Sequence, residues 1–190
     1  RNALLELFGL RGATVEKRSQ LPPAPPTRPL DLGTRTSLAD ARERLGFPPL
    51  VPSAAYLERP RVHVRQKGVP GGELALAYPT GPGLPNAKTT GLGLLVTEFR
   101  GDLAPELVGK VAGQATRVER LSLDDSPAIW IEGAPHFFFY RTPDGVIRDR
   151  DLRLAANVLL LQRGRLLVRL EGEFDRRKAV ELARSLRALR

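Results

Sequence analysis

The chain has 190 residues, a 42% hydrophobic share and no apolar run of the roughly 18 residues that a spanning helix needs, so it suits one core of ordinary size and excludes a membrane helix within it. Its net charge of +9 comes from 30 Lys and Arg against 21 Asp and Glu, an excess that is mostly Arg and spread along the chain. Cys is absent, which excludes disulfides and thiolate metal sites. Met is absent too and the sequence starts at Arg1, so the expectation is a piece of a longer protein or a processed product.

In chain order, Asn2–Leu10 (NALLELFGL) comes first, with Leu4, Leu5, Leu7 and Phe8 on one face of a short helix. It reads either as the outer end of a preceding hydrophobic helix or as a helix docked on the core. Arg11–Thr36 holds Pro22, Pro23, Pro25, Pro26 and Pro29, and reads as an extended linker that wraps a surface or hangs free. A compact domain is expected from Ser37. Ser37 is placed to cap a helix, with Leu38, Ala41 and Leu45 on one face and Gly46 at its end. Phe47–Pro52 reads as an extended apolar segment that its prolines keep away from the centre of a sheet.

Val62–Arg65 and Leu74–Tyr78 read as a hairpin around Gly68–Gly72. Thr80–Thr90 is a Gly/Pro-rich loop, Gly91–Phe99 a strand, Leu103–Gly113 a short helix and Thr116–Leu123 a strand. Four short apolar runs follow, at Ala128–Ile131, His136–Tyr140, Asn157–Leu161 and Leu166–Leu170, with turn signals at Pro143–Gly145 and Arg163–Gly164. From Ala179 the apolar period becomes helical, through Val180, Leu182, Ala183, Leu186 and Leu189. The predicted class is α+β: a curved antiparallel sheet with helices packed mainly on one face.

The strands are too apolar for a sheet with one wet side. In a half-solvated His136–Tyr140 strand, Phe137 and Phe139 point inward while Phe138 and Tyr140 meet water, which forfeits about 1.5–3 kcal/mol at Phe138. The sheet is therefore expected to be covered on both faces at its centre. Either helices and the Pro-rich segment supply the cover, or one face lines a groove for a partner or an apolar ligand. Trp130, Phe138 and Tyr140 are the candidate residues of such a partner or ligand face.

Little points to reaction chemistry. His63 and His136 lie far apart without zinc-site spacing, and His63 alternates with Val62 and Val64 as a solvent-facing strand residue does. Asp124, Asp125, Asp149 and Asp151 sit beside turn formers, as local hydrogen bonding favours. The nucleophile elbow, the phosphate-binding P-loop and the dinucleotide glycine pattern do not occur. Arg163, Arg165, Arg169, Arg176, Arg177 and Lys178 read as the solvated face of a hairpin and helix rather than a nucleic-acid stripe. No catalytic, metal or cofactor residue is predicted.

Three stretches carry a resemblance: SLADARERLGFPPLVPSAAYL, GLGLLVTEFRG and NVLLLQRGRLLVRLEGEFDRRKAVELARSL. Together, over about Ser37–Leu189, the chain resembles an uncharacterised extracytoplasmic domain family of bacterial membrane-anchored proteins, related to the C-terminal domains of anti-sigma factors. It departs from the family pattern at Val168, where an aromatic is usual, and at Lys178, where an acid is usual. The resemblance implies a single membrane helix just before Arg1, with Asn2–Leu10 as its exit, and a location on the extracytoplasmic face of the cell membrane. It implies residues 1–36 as juxtamembrane segment and linker, and 37–190 as one domain. The function it implies is non-enzymatic: sensing, or binding a protein partner, for an anti-sigma-factor-like regulator. The second reading is a carrier or sensor of an apolar small molecule or lipid in a cavity under the sheet. An enzyme whose site the sequence does not reveal is the third.

Overall fold

The computed structural model describes residues 13–17, 30–69, 71–100, 108–112, 116–133, 136–140, 153–155 and 157–189, with backbone and pairing alone for 13–17, 108–112, 116, 136–140 and 153–155. The strands are β1 (Ala13–Lys17), β2 (Thr34–Thr36), β3 (Leu50–Pro52), β4 (Arg61–Arg65), β5 (Glu73–Tyr78), β6 (Leu94–Arg100) and β7 (Val108–Ala112), then β8 (Thr116–Leu123), β9 (Ser126–Gly133), β10 (His136–Tyr140), β11 (Arg153–Ala155), β12 (Asn157–Arg163), β13 (Leu166–Gly172) and β14 (Leu186–Ala188). The helices among the described residues are α1 (Leu38–Arg44) and α2 (Arg176–Arg184).

Eight strands make one antiparallel sheet in the order β2-β4-β5-β6-β13-β12-β9-β8. A four-stranded sheet runs β1-β7-β10-β11, antiparallel except for the parallel pair β1–β7, and β14 pairs with β3 in a separate ribbon. The small sheet repeats the neighbour relations of the large one: β10 lies between β7 and β11 as β9 lies between β8 and β12. The fold is thus dominated by mostly antiparallel sheet.

Two tight turns set the registers. Asp124 and Asp125 join β8 to β9 with φ of 49° and 63°, the left-handed pair of a primed hairpin turn, which Asp tolerates better than most side chains. Gly164, with φ of 57°, opens the turn from β12 to β13. Ser37 caps α1 by accepting from the Asp40 amide at 3.0 Å, and Asp175 caps α2 by accepting from the Lys178 amide at 2.8 Å.

Alternation along each strand divides the large sheet into two faces. On one face a cross-strand row runs Val62, Leu76, Val96, Leu170, Leu159, Trp130. These residues share a buried cluster with Ala41 of α1 and with Ala179, Leu182 and Ala183 of α2. The opposite face carries Ala75, Leu95, Phe99, Leu167, Leu160 and Ile129, each no more than 2% exposed. The strands between β5 and β9 are therefore buried on both sides, as their continuous apolar runs require.

Several expectations change. Val108–Ala112, expected in a helix, is strand β7; Val at 108 and 111 and Gly at 109 are weak helix formers, and pairing with β10 decides the conformation. The apolar stripe expected to run on as helix from Ala179 breaks after Arg184. Ser185 accepts from the Ser53 amide, and Leu186–Ala188 turns into a strand on Leu50–Pro52. Leu186 stays buried, but as part of that ribbon. Within the segment expected to wrap a surface or hang free, Ala13–Lys17 pairs with β7 and Thr34–Thr36 with β4. Asn2–Leu10, the five prolines and the Pro143–Gly145 turn lie outside the described residues.

Candidate functional site

Trp130 sits wholly inside the buried cluster that also holds Ala41, Ala179, Leu182 and Ala183, at 0% exposure. Its Nε1 donates to Glu132 Oε2 at 2.7 Å, which satisfies the one polar atom of the ring. Glu132 in turn meets Arg117 at 3.3 Å. Phe138 and Tyr140 fall on β10, opposite Lys110 and Val108 of β7, where the backbone alone is described. Trp130 is in the large sheet, and Phe138 and Tyr140 are in the small one.

Polar groups that the sequence did not single out lie in both faces. On the Trp130 face, Glu98 is 0% exposed. Its Oε2 accepts from the Leu50 amide at 2.9 Å, while Oε1 has no partner. Burial pushes its carboxyl up to about 8, against a smaller opposing effect of the Leu50 hydrogen bond. Tyr78, on the same face of the neighbouring strand, has a buried hydroxyl without a hydrogen-bond partner, and burial followed by the nearby Glu98 charge raises its pKa. The signal for Glu98 was present in the sequence, as an acid in the middle of the apolar strand LLVTEFR, but only the pairing of β6 between β5 and β13 makes it a core residue.

On the opposite face, Arg169 and Glu171 form an ion pair at 3% and 0% side-chain exposure. Arg169, expected on a solvated basic face, is instead in the interior because β13 is a central strand. Thr97 lies directly across from both Ala75 and Arg169, and its hydroxyl is buried without a partner.

At the β2–β4 edge the side chains are basic. Arg35 is exposed and lies directly across from His63, and Arg61 is exposed and two residues from His63 on the same face. His63, expected in solvent, is half-buried. Burial first, then the Arg61 and Arg35 charges, lower its pKa, so the ring is neutral at pH 7. Arg65, on the same strand face, is paired with the Asp31 carboxylate at 3.8 Å and with the Asp31 main-chain oxygen.

A third cluster joins α2 to the segment after β3. Tyr56 donates to Glu181 at 2.9 Å, and the Lys178 ammonium reaches Glu181 at 3.0 Å while lying 4.4 Å from the Tyr56 ring centroid. The contacts of Lys178 fasten α2 to Tyr56. No three His, Asp or Glu side chains come together as a metal site among the described residues.

Fold and side chains define a sheet-dominated, mostly antiparallel protein with two helices among its described residues and polar groups set into both sheet faces. No protein-family model matches the chain, and it matches no curated protein and no solved structure. No described helix is long and apolar enough to cross a membrane.

Proposed function

We propose that the chain is a non-enzymatic extracytoplasmic sensing or interaction domain of a membrane-anchored, anti-sigma-factor-like regulatory protein. In this reading it is an α+β domain, a curved sheet with helices mainly on one face, held to the bacterial membrane by a segment before Arg1. The sequence resemblance motivates the reading. The observation that supports it is the sheet with two apolar faces: one shares a core with α1 and α2, and the other holds side chains such as Leu160 and Leu167 at 0% exposure that need a cover of their own. Exposing such a face by exchange of its cover would give a binding surface of the kind a partner recognises.

The test uses the whole natural polypeptide in its own host. Alkaline phosphatase fused after the domain is active if the domain lies outside the membrane; activity only when it is fused on the other side of the anchor rejects the location. Removing residues 37–190 from the full protein changes transcription of the genes under the cognate sigma factor; an unchanged transcript profile rejects the regulatory role.

The second reading, a carrier of an apolar molecule or lipid, is favoured by the same second face, where Phe99, Leu160 and Ile131 lie on three different strands. Organic extraction of the purified chain recovers a stoichiometric lipid or apolar metabolite if it holds.

A further inference from the structure

We propose that Arg35, Arg61 and His63 form a binding site for a phosphate-type oxyanion on the edge of the large sheet.

The argument begins with placement. Arg35 and His63 are cross-strand partners, so their side chains leave the same face with Cβ atoms about 5 Å apart. Arg61 is two residues before His63 and on that same face, roughly 7 Å along the strand. Three basic side chains thus spread from a patch that one tetrahedral oxyanion spans. β2 ends at Thr36, which pairs with Val62, so the flank of Arg61 beyond it carries no β2 residue. On the other side His63 and Arg61 face Ala75 and Ala77 of β5, which are buried under Leu30 and Leu32, so an occupant is approached from the β2 side.

The charge arrangement is costly without an occupant. Arg35 and Arg61 carry like charge at diagonal positions of one face, beside the neutral His63, and like charges that close repel each other. Two residues along β4, Arg65 does have an acid beside it, Asp31. For Arg35 and Arg61 no acid is within ion-pair distance among the described residues, and His63 Nδ1 is buried with no hydrogen-bond partner. Exposed charge also protects an edge strand from pairing with other chains, but that role needs neither the clustering on one face nor the inward imidazole. A phosphate-type oxyanion satisfies all three groups. The planar guanidinium forks of the arginines donate in pairs to its oxygens, and the imidazole donates from a ring nitrogen. Its negative charge also offsets the Arg61 and Arg35 charges, which add to burial in keeping His63 neutral. The site is independent of the regulatory reading, since a free phosphate compound and a phospholipid headgroup share this chemistry.

The experiment follows the His63 imidazole by NMR in the full 190-residue chain, which has two histidines. His136→Gln assigns the signal. Titration with inorganic phosphate raises the midpoint of His63 by about one unit, a tenfold coupling between anion and proton, beyond the effect of sodium chloride at equal ionic strength. The rise disappears in the Arg35→Gln, Arg61→Gln double variant and persists in Arg65→Gln. A rise no larger than that in sodium chloride, or one that survives in the double variant, overturns the proposal. Vesicles of phosphatidylglycerol, against phosphatidylcholine as control, then tell the sources apart. Sedimentation with the anionic vesicles that needs Arg35 and Arg61 assigns a headgroup, and phosphate binding without vesicle binding assigns a soluble phosphate compound.

Discussion

The Leu50 amide donates to the Glu98 carboxylate at 2.9 Å in the interior, so a strand outside the large sheet is fastened to an acid in its core. Leu50 belongs to the ribbon formed with β14, and β14 follows α2. One buried carboxyl thereby joins the sheet to the C-terminal ribbon.

That carboxyl makes stability fall as pH rises. Its folded pKa, about 8, is above the unfolded value of 4.5. Below 4.5 both states are protonated and the full stability is present. Between 4.5 and 8 the native state keeps a proton the unfolded chain has lost, so stability declines by up to about 1.4 kcal/mol per pH unit. Above 8 both are ionised and the loss, on the order of a few kcal/mol, is complete. Urea unfolding at pH 5, 7 and 9 followed by Trp130 fluorescence checks this; equal midpoints at pH 5 and 9 contradict it.

Glu98→Gln keeps an oxygen for the Leu50 amide and removes the titration. The variant matches the parent near pH 5 and exceeds it at pH 9 by about 2 kcal/mol or more. Glu98→Leu also removes the titration but leaves the Leu50 amide without its acceptor, at a cost of about 1–3 kcal/mol. Denaturation of the two variants at one pH separates charge from hydrogen bond.

Trp130→Phe loses the bond to Glu132 and part of the buried ring, and costs about 1–3 kcal/mol. Trp130→Ala costs about 3–5 kcal/mol. Thermal unfolding by circular dichroism measures both. A Trp130→Ala chain as stable as the parent would mean that the ring is not a core residue.

Glycine is required at two close approaches. A Cβ on Gly93 would overlap the Pro79 carbonyl oxygen, and one on Gly172 would meet the Phe174 ring and lie 2.7 Å from the Gly93 carbonyl oxygen. Gly172 lies on central strand β13, where the backbone has no room to yield. Gly172→Ala loses at least about 2 kcal/mol, whereas Gly164→Ala, in open space, pays only the strain of its positive φ, about 1 kcal/mol. Comparing their melting temperatures tests the difference.

The pair Arg169–Glu171 should show strong non-additivity. Arg169→Met leaves a buried carboxylate and costs about 3–5 kcal/mol, and Glu171→Leu leaves a buried guanidinium at similar cost. The double variant is less damaged than the sum of the two. A double-mutant cycle in urea reads this directly, and additive losses would show that the two charges do not depend on each other.

Much of this fold was legible one element at a time. The apolar runs around Trp130, Leu160 and Val168 have strand length and strand residues; Ser37 and Gly46 bracket α1; Asp124-Asp125 and Gly164 mark turns. These are local signals, set by side-chain shape and backbone preference within a few residues. The doubly apolar sheet was legible too, because burial of alternate and intervening positions follows from hydropathy alone. What a neighbour far along the chain decides was not. Val108–Ala112 becomes a strand because β10 pairs with it, and Leu186 leaves the helical stripe because Leu50–Pro52 offers it backbone partners. The tertiary structure alone turned Glu98 and Arg169 from ordinary charged residues into interior ones, and brought Arg35 across from His63. Sequence thus determined which segments are greasy and which way they turn. Strand order decided which charges lost water, since desolvation depends on what packs against a residue and not on the residue itself.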